Sequence, residues 1–187
     1  MDARDFETLL ADMKAGRPSA WDRCYTWLAP AIGGYLRMQG AADVDDLTSE
    51  VFLAVFRNLG TFAGTEPNFR SWVFVIAHRR LQDERRRRFR RPASESIDES
   101  LADRLGDADD RETEAAALRA IATDRVGRLC ARLAPDQRDV ILLRILGDFT
   151  VDQVAQVLGK SPGAVKQLQR RAFEGLRRVV DREGVPL

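Results

Sequence analysis

TVDQVAQVLGKSPGAVKQLQRRAFEGL, residues 150–176, decides the fold. Thr150 is placed to cap a helix whose Val154, Ala155 and Leu158 share one face, Gly159 permits a positive φ, and Ser161 with Pro162 offers a second N-cap and first-turn proline. Two helices joined by so short a turn make a helix-turn-helix. Val165, Leu168, Ala172 and Leu176 form the inward stripe of the second helix, which leaves Lys166, Gln167, Arg170 and Arg171 on its outer faces. Such a helix fits the major groove, where Lys and Arg meet guanine acceptors or phosphate and Gln pairs with adenine. The small Gly163 and Ala164 let the backbone come close. The competing reading is a helical hairpin that packs only on protein.

The chain around this motif has 187 residues, 44% hydrophobic and 32% charged, the make-up of a soluble globular protein of one ordinary or two small domains. Its 30 Lys and Arg nearly cancel its 29 Asp and Glu, so net charge alone points to no partner. Cys24 and Cys130 lie far apart with a single histidine in the chain, which supports neither a disulfide framework nor a zinc site; both read as small buried side chains. The acidic start MDARDFETLLADMK lacks a signal peptide's basic end, and no run approaches about 18 apolar residues. The expectation is a cytoplasmic protein with no membrane insertion. GxxxxGK[ST], GxGxxG and HExxH are all missing, so no cofactor, no metal and no enzyme chemistry are expected.

Charge is divided along the chain. RRLQDERRRRFRR, residues 79–91, sets eight arginines against Asp83 and Glu84, whereas residues 92–115 set nine acids against Arg104 and Arg111. The acidic stretch, poor in large apolar residues, reads as a flexible linker. The domain expectation is therefore all-α: a helical unit over 1–91, the linker over 92–115, and a second helical unit over 116–187. Either the linker is a plain solvated spacer or its charge covers a basic surface until DNA arrives. In the first unit, Ser19 is expected to cap a helix that tolerates Pro30 and Gly33-Gly34. Asp43 or Asp45 caps another, with Leu47, Val51, Ala54, Val55 and Phe56 inward, ending near Asn58-Leu59-Gly60. After the loop GTFAGTEPN, Phe69, Trp72, Val73, Ile76 and Leu81 recur at helical spacing, and that helix runs on into the arginines. The short run WVFVIA is assigned to the same helix rather than to a strand. Aromatic side chains near the loop, Phe62, Phe69, Trp72 and Phe74, suit either the core or the stacking of unpaired bases.

In order, DVDDLTSEVFLAVFRNL (43–59), FRSWVFVIAHRRLQDERRRR (69–88), the acidic linker, ARLAPDQRDVILLRILGDFT (131–150) and the helix-turn-helix resemble the extracytoplasmic-function (ECF) group of the bacterial RNA polymerase sigma-70 family. The resemblance spans about residues 5–180. It implies two small helical domains, region 2 and region 4, with a flexible linker and no middle domain. It also implies a factor that binds core polymerase, recognises the promoter minus-35 and minus-10 elements and promotes DNA opening, the nucleotide chemistry staying with the polymerase.

Residue by residue, the resemblance makes Asp46, Glu50, Leu53 and Arg57 contacts to the clamp coiled coil of core polymerase, whose flap is the second docking point. The loop from Gly60 to Asn68 and the helix after it correspond to the minus-10 element, which makes Phe62, Asn68, Phe69, Arg70 and Trp72 candidates there. His78, Arg79, Arg85 and Arg86 continue that surface toward double- and single-stranded promoter DNA. Ser161, Gly163, Ala164, Lys166, Gln167, Arg170 and Arg171 correspond to minus-35 recognition, with Arg138 and Arg144 as backbone contacts. An anti-sigma factor is a further partner common in the family. Departures from the family pattern are His78-Arg79, where many members have Arg-Asn, and Gln167-Leu168-Gln169 in the recognition helix. Two other classes stay open: a conventional helix-turn-helix regulator that binds duplex DNA alone, and an antagonist or adaptor that uses sigma-like surfaces without reading promoters.

Overall fold

A computed structural model describes residues 1–90 and 126–183, and every regular element among them is helical. The expected linker lies outside these residues. The elements are α1 (Ala3–Lys14), α2 (Pro18–Met38), α3 (Val44–Asn58), a 3-10 turn (Leu59–Thr61) and α4 (Glu66–Arg90). Helical residues 126–131 then lead to α5 (Pro135–Ile145), α6 (Val151–Leu158) and α7 (Pro162–Glu183).

Local chemistry explains most of the boundaries. Asp2 accepts the Asp5 N–H at 2.8 Å and starts α1, which buries Phe6, Leu9 and Met13 along one stripe. Asp43, not Asp45, is the cap of α3, accepting from the Asp46 N–H at 2.8 Å. At α2 the expected Ser19 cap is corrected. Pro18 already occupies the first turn, where its missing N–H costs nothing, so the helix starts ahead of Ser19 with Arg17 at the cap position. The helix then passes Pro30 and both glycines to reach Met38. A second correction concerns Phe56, expected inside. It lies next to Val55 in sequence, about 100° round the helix from the buried stripe, and is 58% exposed with its ring 5.0 Å from Trp21.

Two aromatic groups organise the interior. Phe69 is enclosed by Phe6, Trp27, Phe62 and Trp72 with ring centroids 5.2–6.3 Å apart, several of them tilted or edge-on as ring quadrupoles favour. Lys14 closes this end by donating to the Phe62 carbonyl at 2.8 Å. On the opposite side of α4, Phe74 meets Tyr35 at 5.7 Å and Phe149 edge-to-face at 5.0 Å. Phe149 precedes α6, so the second contact joins the C-terminal helices to the N-terminal ones in a single continuous core. Cys24 and Cys130 are free and buried, and burial pushes the Cys24 thiol up to about 12. Among the described residues no helix is long and apolar enough to cross a membrane.

The turn from α5 to α6 is built on Gly147. A Cβ there would overlap the Phe149 ring and lie 2.7 Å from the Leu143 carbonyl oxygen, while the next residue, Asp148, takes φ 51°. Gly147→Ala is therefore expected to cost roughly 1–3 kcal/mol through overpacking. A chemical denaturation midpoint equal to that of the parent chain would contradict this account of the turn.

Candidate functional site

The helix-turn-helix is assembled by its caps. Thr150 Oγ1 accepts from the Gln153 N–H at 3.3 Å and the Thr150 N–H donates to Gln153 Oε1 at 2.8 Å, a complete capping box at the start of α6. Gly159 ends α6 in the left-handed region at φ 63°, and Ser161 Oγ accepts the Ala164 N–H at 3.2 Å to begin α7. Val165 and Ala172 are fully buried and Leu168 is half-buried, which turns Lys166, Gln167, Arg170 and Arg171 outward. Gly163 is exposed, and a Cβ on it would meet nothing within 4 Å. This end of α7 is open for a backbone approach, with three cations and an amide on its outer faces. Lys160 pairs with Asp136 at 2.9 Å and braces the turn against α5.

Arg138 and Arg144, the expected backbone contacts, both make hydrogen bonds within the protein. Arg138 donates to the carbonyls of Cys130 at 2.9 Å, Ala131 at 2.6 Å and Leu133 at 3.5 Å, supplying the partners that a helix end leaves unmet. Arg144 donates to the Phe149 carbonyl. Both guanidinium groups are occupied in holding the backbone around α5.

Along α4 the candidates divide by depth. Phe69 is fully buried and Phe62 only 8% exposed, because both rings fill the aromatic cluster, the core placement that was the alternative to base stacking for these side chains. Trp72 is half-buried against Phe62. Asn68 is exposed at the start of α4, its side-chain oxygen accepting from the Thr65 N–H at 3.1 Å. Arg79 and Arg86 are exposed, the latter 3.6 Å from Asp83. The other three cationic or titratable candidates are engaged inside the protein. Arg70 donates to the Gly147 carbonyl and lies over the Phe149 ring at 5.7 Å. Arg85 donates to the Gln39 carbonyl at 2.6 Å and to its Oε1 at 2.9 Å. His78 Nδ1 is 2.8 Å from the Tyr35 hydroxyl and 3.9 Å from Asp139.

On α3, Asp46, Leu53 and Arg57 are exposed, and half-buried Glu50 faces Arg80 at 3.6 Å. These four share one stripe, at spacings of 4, 3 and 4 residues. Leu53, 54% exposed, belongs to a wider apolar surface that the sequence reading missed, with Phe56 beside Trp21 and the Phe52 ring tilted against Tyr25 at 4.7 Å. Tyr25, Leu53 and Phe56 are each about half exposed, so α2 and α3 carry apolar side chains beyond those the core uses. The signal available was the crowding of Phe52, Leu53 and Phe56, more apolar bulk than one buried stripe accommodates.

Sequence reading also missed Tyr35, Gln39 and Asp139. Asp139 is 4% exposed, and its carboxylate accepts from the Tyr35 hydroxyl at 3.2 Å and from the Gln39 amide. Burial pushes the Asp139 carboxyl up, against the pull of His78, Tyr35 and Arg85, and pushes His78 down, against the pull of Asp139. A lone acid ahead of the apolar run Val140-Ile141-Leu142-Leu143 was the available clue. No group of His, Cys, Asp and Glu among the described residues is arranged to hold a metal ion.

Arg138→Lys keeps the charge but loses the planar fork that reaches three carbonyls. It is expected to lower stability by about 1–3 kcal/mol through the unmet acceptors. If Arg138 instead served DNA alone, the variant would melt like the parent and lose affinity.

Comparison with known proteins follows the same division. Sigma-70 region 2 matches residues 23–91 and sigma-70 region 4 matches residues 130–178. The chain is 31% identical over 184 residues to the ECF RNA polymerase sigma factor BldN of Streptomyces coelicolor, covering 96% of this chain and 67% of that one. It is 32% identical over 139 residues to the ECF RNA polymerase sigma factor ShbA of Streptomyces griseus, covering 74% and 72%. Among solved structures, CnrH in complex with the cytosolic domain of CnrY aligns with TM-score 0.65 at 27% identity, covering 93% of this chain and 96% of CnrH. RpoE of Bartonella quintana, solved with the anti-sigma factor NepR, shares the fold with TM-score 0.62 at 17% identity, covering 86% and 96%.

Proposed function

The chain belongs to the ECF group of the RNA polymerase sigma-70 family, and from that premise we propose how its surfaces divide the work of a sigma factor. The observation that carries the reading is the outward set Lys166, Gln167, Arg170 and Arg171, fixed by the buried Val165 and Ala172 beneath it. In the proposed role, the first turns of α7 enter the major groove of the minus-35 element. Ser161 and Gly163 sit at the backbone, Lys166 and the arginines meet phosphate or guanine, and Gln167 meets adenine.

The α3 stripe of Asp46, Glu50, Leu53 and Arg57, with Phe56 and its aromatic neighbours, docks on the clamp coiled coil of core polymerase, and the C-terminal unit meets the flap. Burying the exposed half of Leu53 and Phe56 there supplies about 1–1.5 kcal/mol each, while the charges set the register. The minus-10 element falls to the start and outer face of α4: Asn68, Trp72, Arg79 and Arg86, joined by Arg70, His78 and Arg85 once these are released. Strand opening draws on binding energy, trading base stacking for contacts to unpaired bases and backbone. The polymerase performs the nucleotide chemistry, and the protein acts in the cytoplasm. CnrH is held by the cytosolic domain of a second protein, and a comparable anti-sigma partner is proposed here.

Transcription from fragmented genomic DNA of the source organism by purified core polymerase tests the reading. Discrete new starts that share two spaced upstream motifs are the expected result. The double variant Lys166→Ala/Arg170→Ala should weaken upstream-element binding by tenfold or more, by about 1–3 kcal/mol for each base contact, and lower the salt dependence by about two counterions, with core affinity intact. Glu50→Ala/Arg57→Ala should do the reverse. Loss of core binding by a well-folded α7 variant would refute the division of labour.

A further inference from the structure

We infer that α1 takes part in minus-10 recognition through Lys14, a positioning residue that holds the loop from Gly60 to Asn68 in its binding shape. The match to sigma-70 region 2 begins at residue 23, within α2, so α1 lies outside it. The inference rests on the proposed placement of the minus-10 element at this loop and the start of α4.

Both ends of the loop are fixed by neighbours in sequence. At the first, the Thr61 hydroxyl donates to the Asn58 carbonyl at 2.8 Å and the Phe62 N–H to the Leu59 carbonyl at 3.0 Å. At the second, the Thr65 N–H donates to Asn68 Oδ1 at 3.1 Å and the Phe69 N–H to the Thr65 carbonyl at 3.0 Å, which starts α4. Asn68 commits its side-chain oxygen to this cap, so what it offers a base is its amide N–H groups. Between the two ends the chain passes through Ala63 and Gly64, both exposed. The hold next to them comes from 48 positions away: Lys14 Nζ donates to the Phe62 carbonyl at 2.8 Å.

The effect of that bond follows from the seat of the Phe62 ring, which lies 5.2 Å from both Phe69 and Trp72. With its ring in the cluster and its carbonyl tied to α1, Phe62 has one orientation of its peptide plane, and the direction in which Ala63 and Gly64 leave it is set. Gly64 then runs close over the cap, since a Cβ on it would lie 3.1 Å from Asn68 Cβ and 3.3 Å from Phe62 Cζ. The other end of the tie is equally firm. Phe6 and Met13 of α1 are buried, and the Phe6 ring is 5.5 Å from Phe69, so the lysine and the loop it holds stand on the same cluster. Lys14 also sits in the last turn of α1, where a cation is favoured, and a charged donor makes one of the stronger hydrogen bonds to a carbonyl. A loop shaped before DNA arrives does not lose the entropy of ordering when unpaired bases bind.

The test reads the loop and its ligand separately. Lys14→Met keeps an apolar stem and removes the donor. In the full chain, amide hydrogen exchange at Phe62 and Thr65 should quicken about tenfold, with exchange in the rest of α4 unchanged. Assembled with core polymerase, the variant should bind a single-stranded oligonucleotide, copied from the non-template strand of a mapped transcription start, about three- to tenfold more weakly, with an unchanged dependence on salt. Lys14→Arg, which restores a charged donor, should recover both and guards against a folding defect in the first variant. Parental exchange in the loop, or parental affinity for the oligonucleotide, would overturn the positioning role. Weaker binding with a salt slope shallower by about one counterion would overturn it in favour of direct contact between the lysine and phosphate. Absence of discrete starts with the parent chain would instead remove the sigma-factor reading, and this inference with it.

Discussion

α4 has to satisfy two neighbours at once. Its one face, through Phe69 and Val73, completes the core of the N-terminal helices, and another, through Phe74, receives Phe149 from the C-terminal ones. A helix buried on both sides cannot show a clean amphipathic stripe, and the 25 residues of α4 instead change character along their length, apolar at first and arginine-rich at the end. At about 1.5 Å per residue the helix is long enough to support both units and to carry its arginines to the turn that follows α2. The aromatic cluster, the seat of the C-terminal unit and the position of the arginines all follow from that single element.

Arginine performs three physically different tasks here. Arg138 and Arg144 close backbone carbonyls around α5, where a planar fork with several donors is worth more than a charge. Arg85 and Arg88 organise the turn after α2 by reaching the carbonyls of Gln39 and Gly40, while Glu84 of the same helix takes the Ala42 N–H at 2.8 Å. Arg170 and Arg171 are exposed over a buried stripe, Arg170 3.6 Å from the exposed Glu174, and charge held in water in this way can still be offered to phosphate. Residue type is common to all three groups; depth and the nearest unmet acceptor separate them.

The contact between the units combines an apolar part with a polar one. Phe74 against Phe149 supplies area, while Asp139 with Tyr35, Gln39 and His78 supplies direction, since a buried carboxylate tolerates few arrangements of its donors. Burial acts oppositely on the two titratable members, raising the carboxyl and lowering the imidazole, so their contributions to stability change with pH in opposite directions, the first falling and the second rising as pH rises. On this view the polar members define which faces meet more than they add stability.

The helices and the helix-turn-helix were legible in the sequence because their signals are local. Asp43, Thr150, Ser161 and Gly159 act on groups within a few residues, and the stripe of Val165, Leu168 and Ala172 needs only helical periodicity. The exposure of Lys166, Gln167, Arg170 and Arg171 follows from the same periodicity, which is why the outward face of α7 could be named in advance. Ser19 was misread because a proline one residue earlier outweighs a serine cap, and Phe56 because the apolar face of α3 is wider than its buried stripe. What tertiary structure alone decided was the fate of side chains whose partners are distant in sequence. Asp139 and Tyr35 are 104 residues apart, and Arg70 and Gly147 are 77 apart. No local pattern encodes such pairings, because they depend on how two finished units present their unmet donors, acceptors and rings to one another.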